Sequence, residues 1–386
     1  MPAQEDTFVE IECCQRTKDG ESVCGDDFQS ILLNEEGRYI SVLSDGLGSG
    51  IKASLLANMT TSMILRFVSQ NMEIKSSAEI IMDTLPVCEV RKISYATFTV
   101  VDILAHGLTR IVEMDNPRYI HLRNGKDIQW KRNTLVSEAW PERKLMLSEF
   151  KITPGDRIIF FTDGVTQAGM GQPNTKLGWR RSGCLEFIQK LIERENDISA
   201  RRLSHSIVAQ AATKNPGFSA IDDISCAVIY FRKPRRMRLL TGPPFKKSHD
   251  ESFAKSVLNF DGYKLVCGGT TAKIIARELN RSIKPELRGR DGMPPIAEIQ
   301  GIDLVTEGIL TLTETARQLE DEIPNKRPPY AVAKIIEMFQ ASDIIEFLVG
   351  TNVNVAHQDP TLPVDLEILK AILEKKYRKK VVIEYY

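Results

Sequence analysis

A short apolar run, Tyr39–Leu43, stops at Ser44-Asp45-Gly46, and Gly48 and Gly50 then open a long helical pattern. The run reads as a buried strand. From Ile51 to Val68, apolar residues at 51, 55, 56, 59, 63, 64, 67 and 68 recur at helical spacing. That is about five turns at 3.6 residues each. A carboxylate at the end of a strand, followed by glycines and a helix start, suits a metal or phosphate site. Glycine lets a backbone approach a ligand closely, and a helix N-terminus favours anions.

The strands around this element come in hairpins. Thr7–Cys14 has strand character, and Phe28–Leu33 joins Tyr39–Leu43 through NEEG. Tyr95–Leu104 and Leu108–Met114 flank AHG. Arg118–Leu122 and Ile128–Lys131 flank a turn containing Asn124-Gly125, a strong hairpin signal. After a proline-bearing stretch, Asp156–Thr162 reads as a strand, followed by helical patterns at about 181–194 and 199–214 and a last run at Ile224–Phe231. A helix through about Leu85 is expected after the long one, capped by Ser76 or Ser77. Hairpins indicate antiparallel pairing. The expected fold is α+β, with two stacked antiparallel sheets and helices outside.

The stretch RKPRRMRLLTGPPFKKS, residues 232–248, reads as a solvated basic linker, dividing a domain at 1–235 from a smaller α/β domain at 236–386. In the second part Lys264–Cys267, Ile302–Val305 and Val381–Tyr385 are strand-like. Ala272–Leu279, Ala331–Phe339 and Leu366–Lys375 are helical, and ELRGRDGMPPIAE is a loop. CGGTTAKIIARELN, 267–280, combines a Gly-Gly turn, two Thr hydroxyls and a helix start that an anion would suit, but it lacks the Lys and Ser/Thr of a P-loop. A regulatory or dimerising role is expected for this domain, because the first acidic motif already arrives by residue 26.

Bulk composition narrows the chemistry. Lys+Arg and Asp+Glu are equal at 51 each, so nothing global favours nucleic acid or an acidic membrane. No run approaches the roughly 20 apolar residues of a membrane span. The N-terminal MPAQEDTFVE is acidic and polar, unlike a signal peptide. Seven cysteines without a Cys-x-x-Cys pair suggest neither a disulfide framework nor a zinc ribbon, and the expected compartment is the cytoplasm. The five histidines show no ligand spacing.

Carboxylates recur at strand borders instead. Asp26-Asp27 precede a strand in CGDDF, Asp45 ends one in SDG, Asp163 ends one in TDG, and Asp222-Asp223 precede one in DDIS. Asp-Gly and Asp-Asp also make ordinary turns. Gathered on one edge of a sandwich, such carboxylates repel one another unless cations lie between them. Mg²⁺ and Mn²⁺ suit an oxygen-rich site of this kind.

The ordered series CGDDF, SDGLGSG, TDGV and DDIS resembles the bacterial metal-dependent serine/threonine phosphatases of the type 2C superfamily, in particular the stage II sporulation protein E group. The resemblance covers about residues 8–231, and the hairpin segment MDNPRYIHLRNGK falls where that family carries a glycine-containing hairpin. It implies an αββα sandwich and two metal ions, Mn²⁺ or Mg²⁺. Asp45 would bridge them, the Gly46 carbonyl would complete one coordination sphere, and Asp163 and Asp222 would hold metal from the other side. Asp26 would act on a metal directly or through water, with Asp27 and Asp223 the weaker members of their pairs. Leu47 stands where the family often has Met, and Gln167 where it often has Glu. Asn116 replaces part of its Ala-Gly-His hairpin. Arg66 and Arg91 are loose candidates for a phosphate-binding arginine.

The implied activity is hydrolysis of a phosphoserine or phosphothreonine monoester by metal-activated water, on a bacterial regulatory partner such as an anti-sigma-factor antagonist. No protein nucleophile is needed, and no Cys-x5-Arg signature is present. The long helix after Asp45 is expected to be the control element, and a homodimer is compatible with the chain. A partner-binding relative without turnover and a hydrolase of small phosphomonoesters are the competing readings.

Overall fold

The computed structural model describes residues 7–46, 48–84, 96–136, 144–285, 296–320, 328–352, 362–377 and 379–386. Leu47, Leu85, Arg91 and the 286–295 part of the expected loop lie outside them. The chain divides into two units, Met1–Lys233 and Pro234–Tyr386.

The first unit begins with β1 (Phe8–Arg16), β2 (Asp26–Leu33) and β3 (Arg38–Gly46), followed by helices α1 (Gly50–Ser69) and α2 (Ile74–Thr84). Next come β4 (Ala96–Ile103), β5 (Leu108–Met114), β6 (Ile120–Arg123), β7 (Lys126–Asp127), β8 (Asn133–Val136), β9 (Lys144–Lys151) and β10 (Arg157–Phe161). Helices α3 (Asp163–Thr166), α4 (Arg180–Arg194) and α5 (Ala200–Ala212) lead to β11 (Ile224–Arg232). One sheet has the order β2-β3-β4-β5-β9-β8 and the other β1-β11-β10-β6-β7. Every pairing of these strands is antiparallel.

Period-two alternation builds three apolar layers from these sheets. Leu43, Val101, Phe160 and Ile229 fill the space between the sheets. Ile40, Val42 and Val100 face outward under α1 and α2, with Ile64 and Ile81. Phe161, Cys226 and Val228 face the opposite way under α4 and α5, with Ile188 and Ile207. β11 is buried on both faces, which is why it reads as one continuous apolar run. The unit is the expected αββα sandwich.

Several local expectations change. The apolar spacing of α1 points its large residues at the core, yet Ile51 and Leu55 are 65% and 59% exposed. The buried face is Ala53, Ala57, Thr60, Thr61, Ile64 and Val68. The helix starts so close to β3 that a Cβ on Gly46 would lie 2.0 Å from the Ala53 carbonyl oxygen, so only small side chains fit there. α2 starts before Ser76 and Ser77, and the Ser77 hydroxyl donates back to the Glu73 carbonyl at 2.9 Å. Strands β8 and β9, in and beside the proline-bearing stretch for which no element is expected, add to the first sheet, with β9 pairing along β5.

The second unit contains β12 (Arg236–Thr241), α6 (Asp250–Lys255), β13 (Tyr263–Cys267), α7 (Gly269–Glu278), β14 (Ile283–Pro285), β15 (Ala297–Ile299) and β16 (Leu304–Thr306). It ends with α8 (Ile309–Glu320), α9 (Tyr330–Ala341), β17 (Ile344–Val349), α10 (Leu362–Lys375) and β18 (Lys380–Tyr385). The sheet order is β14-β15-β16-β13-β12-β17-β18, and the strands from β16 to β18 are parallel. Apolar side chains cover both faces, Leu239, Leu265 and Phe347 on one and Leu240, Val266 and Leu348 on the other. The basic stretch is therefore no linker between Arg236 and Thr241. Arg236–Thr241 is a central strand whose Met237, Leu239 and Leu240 are fully buried. Arg238 stays polar at its tip, donating to Glu346 at 2.9 Å while its guanidinium lies 4.2 Å from the Phe260 ring centre.

Candidate functional site

Four elements bring the acidic motifs to one edge of the sandwich. Antiparallel pairing of β2 with β3 sets Asp26 opposite Asp45. In the other sheet Phe161 pairs with Cys226, so the C-terminal end of β10 meets the N-terminal end of β11. Asp163, the first residue of α3, and Asp222, two residues before β11, sit at that junction. The Thr162 hydroxyl bridges the two sheets by donating to Asp26 Oδ2 at 2.9 Å.

The glycines of the two Asp-Gly pairs are there for space rather than for turning. Neither Gly46 nor Gly164 has a positive φ. A Cβ on Gly46 would meet the Ala53 carbonyl oxygen at 2.0 Å, and one on Gly164 would meet the Asp223 carbonyl oxygen at 2.0 Å. Both pairs therefore mark points where two segments of backbone touch, not simple hairpin turns.

The carboxyl groups share a poorly hydrated volume. Burial, and then the charges of Asp26, Asp163 and Asp222, push Asp45 up to about 9. Asp45 and Asp163 hydrogen-bond to each other, and Asp163 is raised by burial and by Asp222. Asp26 is pushed up to about 7 by burial, against hydrogen bonds from Ser225 and Thr162. Asp222 is raised by burial too. Desolvation and like charge act together on all four, the condition a bound cation relieves.

The neighbouring acids are turned to other tasks. Asp27 accepts from Gln29 Nε2 at 3.0 Å and from the Thr61 hydroxyl of α1. Asp223 accepts the Lys18 N–H at 3.0 Å, and a Cβ on Gly25 would press on its carboxylate. Gln167 donates to Asp163 Oδ2 at 2.6 Å. Asn116 donates to Thr99 Oγ1 at 3.1 Å and to the Leu43 carbonyl at 3.4 Å, bracing β3 just before Asp45. Arg66 lies in the last turn of α1, at the end away from Asp45. Thr162 and Ser225 stand inside the TDG and DDIS motifs, but only the carboxylates there have roles legible from sequence.

As they stand, no three His, Cys, Asp or Glu side chains among the described residues converge closely enough to hold one metal ion. Asp26 is turned onto Thr162 and Ser225, and Asp45 onto Asp163. The donor chemistry still fits a hard cation: oxygen donors only, from both sheets, with each carboxyl raised in part by burial.

The family model of stage II sporulation protein E (SpoIIE) matches residues 35–232, more than half of the chain. Among solved structures, the chain is similar to the phosphatase domain with a regulatory-domain fragment of SpoIIE from Bacillus subtilis, at 15% identity and a TM-score of 0.47. That match covers 59% of this chain and 63% of that one, so the chain spans less than two thirds of its length. The RsbU and RsbW domains of a Mycobacterium tuberculosis protein match at 15% identity and a TM-score of 0.46, covering 67% and 68%. RsbX in complex with magnesium matches at 17% identity and a TM-score of 0.41, covering 58% and 95%. No curated protein matches the chain.

Proposed function

The chain belongs to the stage II sporulation protein E family, and from that premise we propose that its first unit is a metal-dependent serine/threonine protein phosphatase. One observation supports this above the others: four carboxyl groups, two from the β2–β3 pair and two from the β10–β11 junction, lie at one edge and all are held above their ordinary range. Asp45, Asp163 and Asp222 would hold two Mn²⁺ or Mg²⁺ ions, with the Gly46 carbonyl beside them. Such ions, when bound, supply a water of lowered pKa and neutralise the charge of a phosphoryl group.

The protein's own part is positioning. Thr162 and Ser225 orient Asp26, Gln167 steers Asp163 to one face, and Asn116 steadies the strand that carries Asp45. The N-terminal end of α1 adjoins the Asp45 loop, so a regulator acting on this helix would reach the site. The substrate is a phosphoserine or phosphothreonine of a protein partner, with an anti-sigma-factor antagonist as the leading candidate. The six cysteines among the described residues are all free, which fits a reducing compartment, the cytoplasm. Among the described residues no helix is long and apolar enough to cross a membrane.

The test is Mn²⁺-dependent phosphate release from a phosphothreonine peptide and from an aryl phosphate. Asp45→Asn and Asp163→Asn are each expected to lower turnover by at least about a hundredfold while the protein stays folded. Near-normal turnover in either variant would sink the assignment.

A further inference from the structure

The parallel strands of the second unit lie in the spatial order β16-β13-β12-β17-β18. Numbered along the chain, that is 3-2-1-4-5, the doubly wound arrangement that binds ligands at the carboxyl ends of its strands. At the switch point between β12 and β17 that edge is filled. A Cβ on Gly350 would lie 2.2 Å from the Pro243 carbonyl carbon, and the N–H groups of Phe245 and Thr351 donate to the Tyr386 carbonyl at 3.1 and 3.0 Å.

The adjacent unit β13–α7–β16 is open. Its first strand runs into Gly268, which has φ +112 and no side chain with which to cap α7. An added Cβ at Gly269 would meet nothing within 4 Å. Gly308, after β16, comes so near that a Cβ there would lie 3.2 Å from Gly268 Cα. The first-turn N–H groups of α7 lack intrahelical acceptors, and the helix dipole favours an anion beside them. A second observation points the same way. Thr271, in that first turn, is 1% exposed, and its hydroxyl has no hydrogen-bond partner. The hydroxyl is aimed at the loop, 3.3 Å from where a Cβ on Gly268 would stand. Ala272 follows, small enough to let the helix pack on the sheet.

Glu307 comes directly after β16, the next parallel strand outward. In a dinucleotide-binding βαβ unit the end of this strand carries the acid that takes the ribose hydroxyls, about 20 residues after the glycines; here β14 and β15 intervene, and Glu307 comes 39 residues after Gly268. Its charge is felt at Cys267, the last residue of β13. We propose that the second unit binds a ribonucleotide, with a phosphate on the N-terminal turn of α7 at Gly268–Thr271 and the ribose diol on Glu307. The inference is independent of the phosphatase reading, because it uses no residue of the first unit.

The test is calorimetric titration of the full chain with ADP, GDP, NAD⁺, 2′-deoxy-ADP and inorganic phosphate. At least one ribonucleotide is expected to saturate the protein below about 1 mM. Gly269→Asp puts a negative charge at an open, helix-compatible position and is expected to weaken binding at least about tenfold with an unchanged melting curve. Thr270→Glu is the second charge variant, should the first melt early. Glu307→Gln is expected to weaken the ribonucleotide more than 2′-deoxy-ADP, which keeps only the 3′-hydroxyl, and to leave inorganic phosphate alone. Three results would overturn the proposal: no saturable binding by any ribonucleotide, binding indifferent to both charge variants, or inorganic phosphate binding as tightly as the nucleotides with no effect of Glu307→Gln.

Discussion

Asp156 lies fully buried at the start of β10, gripped by Arg123 at 2.9 and 2.7 Å and facing His121 Nε2 at 3.1 Å. Trp130 donates to the other ring nitrogen of His121 at 2.7 Å, so the proton of that imidazole faces Asp156. Burial opposes the charge, but Arg123 and His121 outweigh it and hold Asp156 well below the usual carboxylate range. The stability from a depressed carboxyl is fully present above its unfolded value of about 3.9 and is lost as pH falls through the folded one. Asp156→Asn is expected to cost about 3–5 kcal/mol at pH 7, the penalty for breaking a buried pair. Urea titrations at pH 7 and pH 3 should show the gap between variant and parent shrinking in acid. At this scale the sequence was partly legible. SDG and TDG advertise Asp45 and Asp163, because a carboxylate beside a glycine at a strand end is an unusual place to stop. The roles of Thr162 and Ser225 were not legible, although both stand inside the quoted motifs, since a hydroxyl beside an apolar run looks like any other until its partner across the sandwich is known.

The junction of β3 with α1 is the tightest element contact near the site. Gly46→Ala would drive a methyl into the Ala53 carbonyl, so strand and helix would have to part. The expected cost is about 1–3 kcal/mol, as for other overpacked positions. Metal-dependent turnover should fall further than this stability loss explains, because the loop that moves carries Asp45; urea unfolding and metal titration together would show it. The bounds of α1 were readable to within about a residue at each end. Its buried face was not, because hydrophobicity ranks Ile51 and Leu55 above Ala53 and Ala57, whereas close approach ranks them the other way. Arginine concealed β12 in a similar manner. Arg236 and Arg238 lend the segment the look of a solvated linker, while Glu346 satisfies their charge at the sheet surface.

On the scale of the whole chain, β11 ends at Arg232 and β12 begins at Arg236, so only residues 233–235 join the two units. Each unit has its own apolar layers, and the layers do not share residues. Residues 1–233 expressed alone are expected to fold cooperatively, with a single calorimetric transition and metal-dependent turnover of their own; a molten or insoluble product would contradict this. The antiparallel character of the first unit was legible because hairpin turns announce themselves locally. The parallel order of the second was not, since crossover connections carry no local signal of which strands will be neighbours. The backbone contact at Gly46 also bears on how the molecule ages. Aspartyl-glycyl bonds isomerise when the glycine nitrogen attacks the preceding side chain, and that nitrogen is here committed to the Gly25 carbonyl at 3.2 Å. Asp19-Gly20 sits instead in an exposed turn, with open space around the glycine. Stored protein should therefore accumulate isoaspartate at Asp19 before Asp45, as peptide mapping would reveal, and the carboxylate proposed for metal binding should outlast the surface in chemical wear.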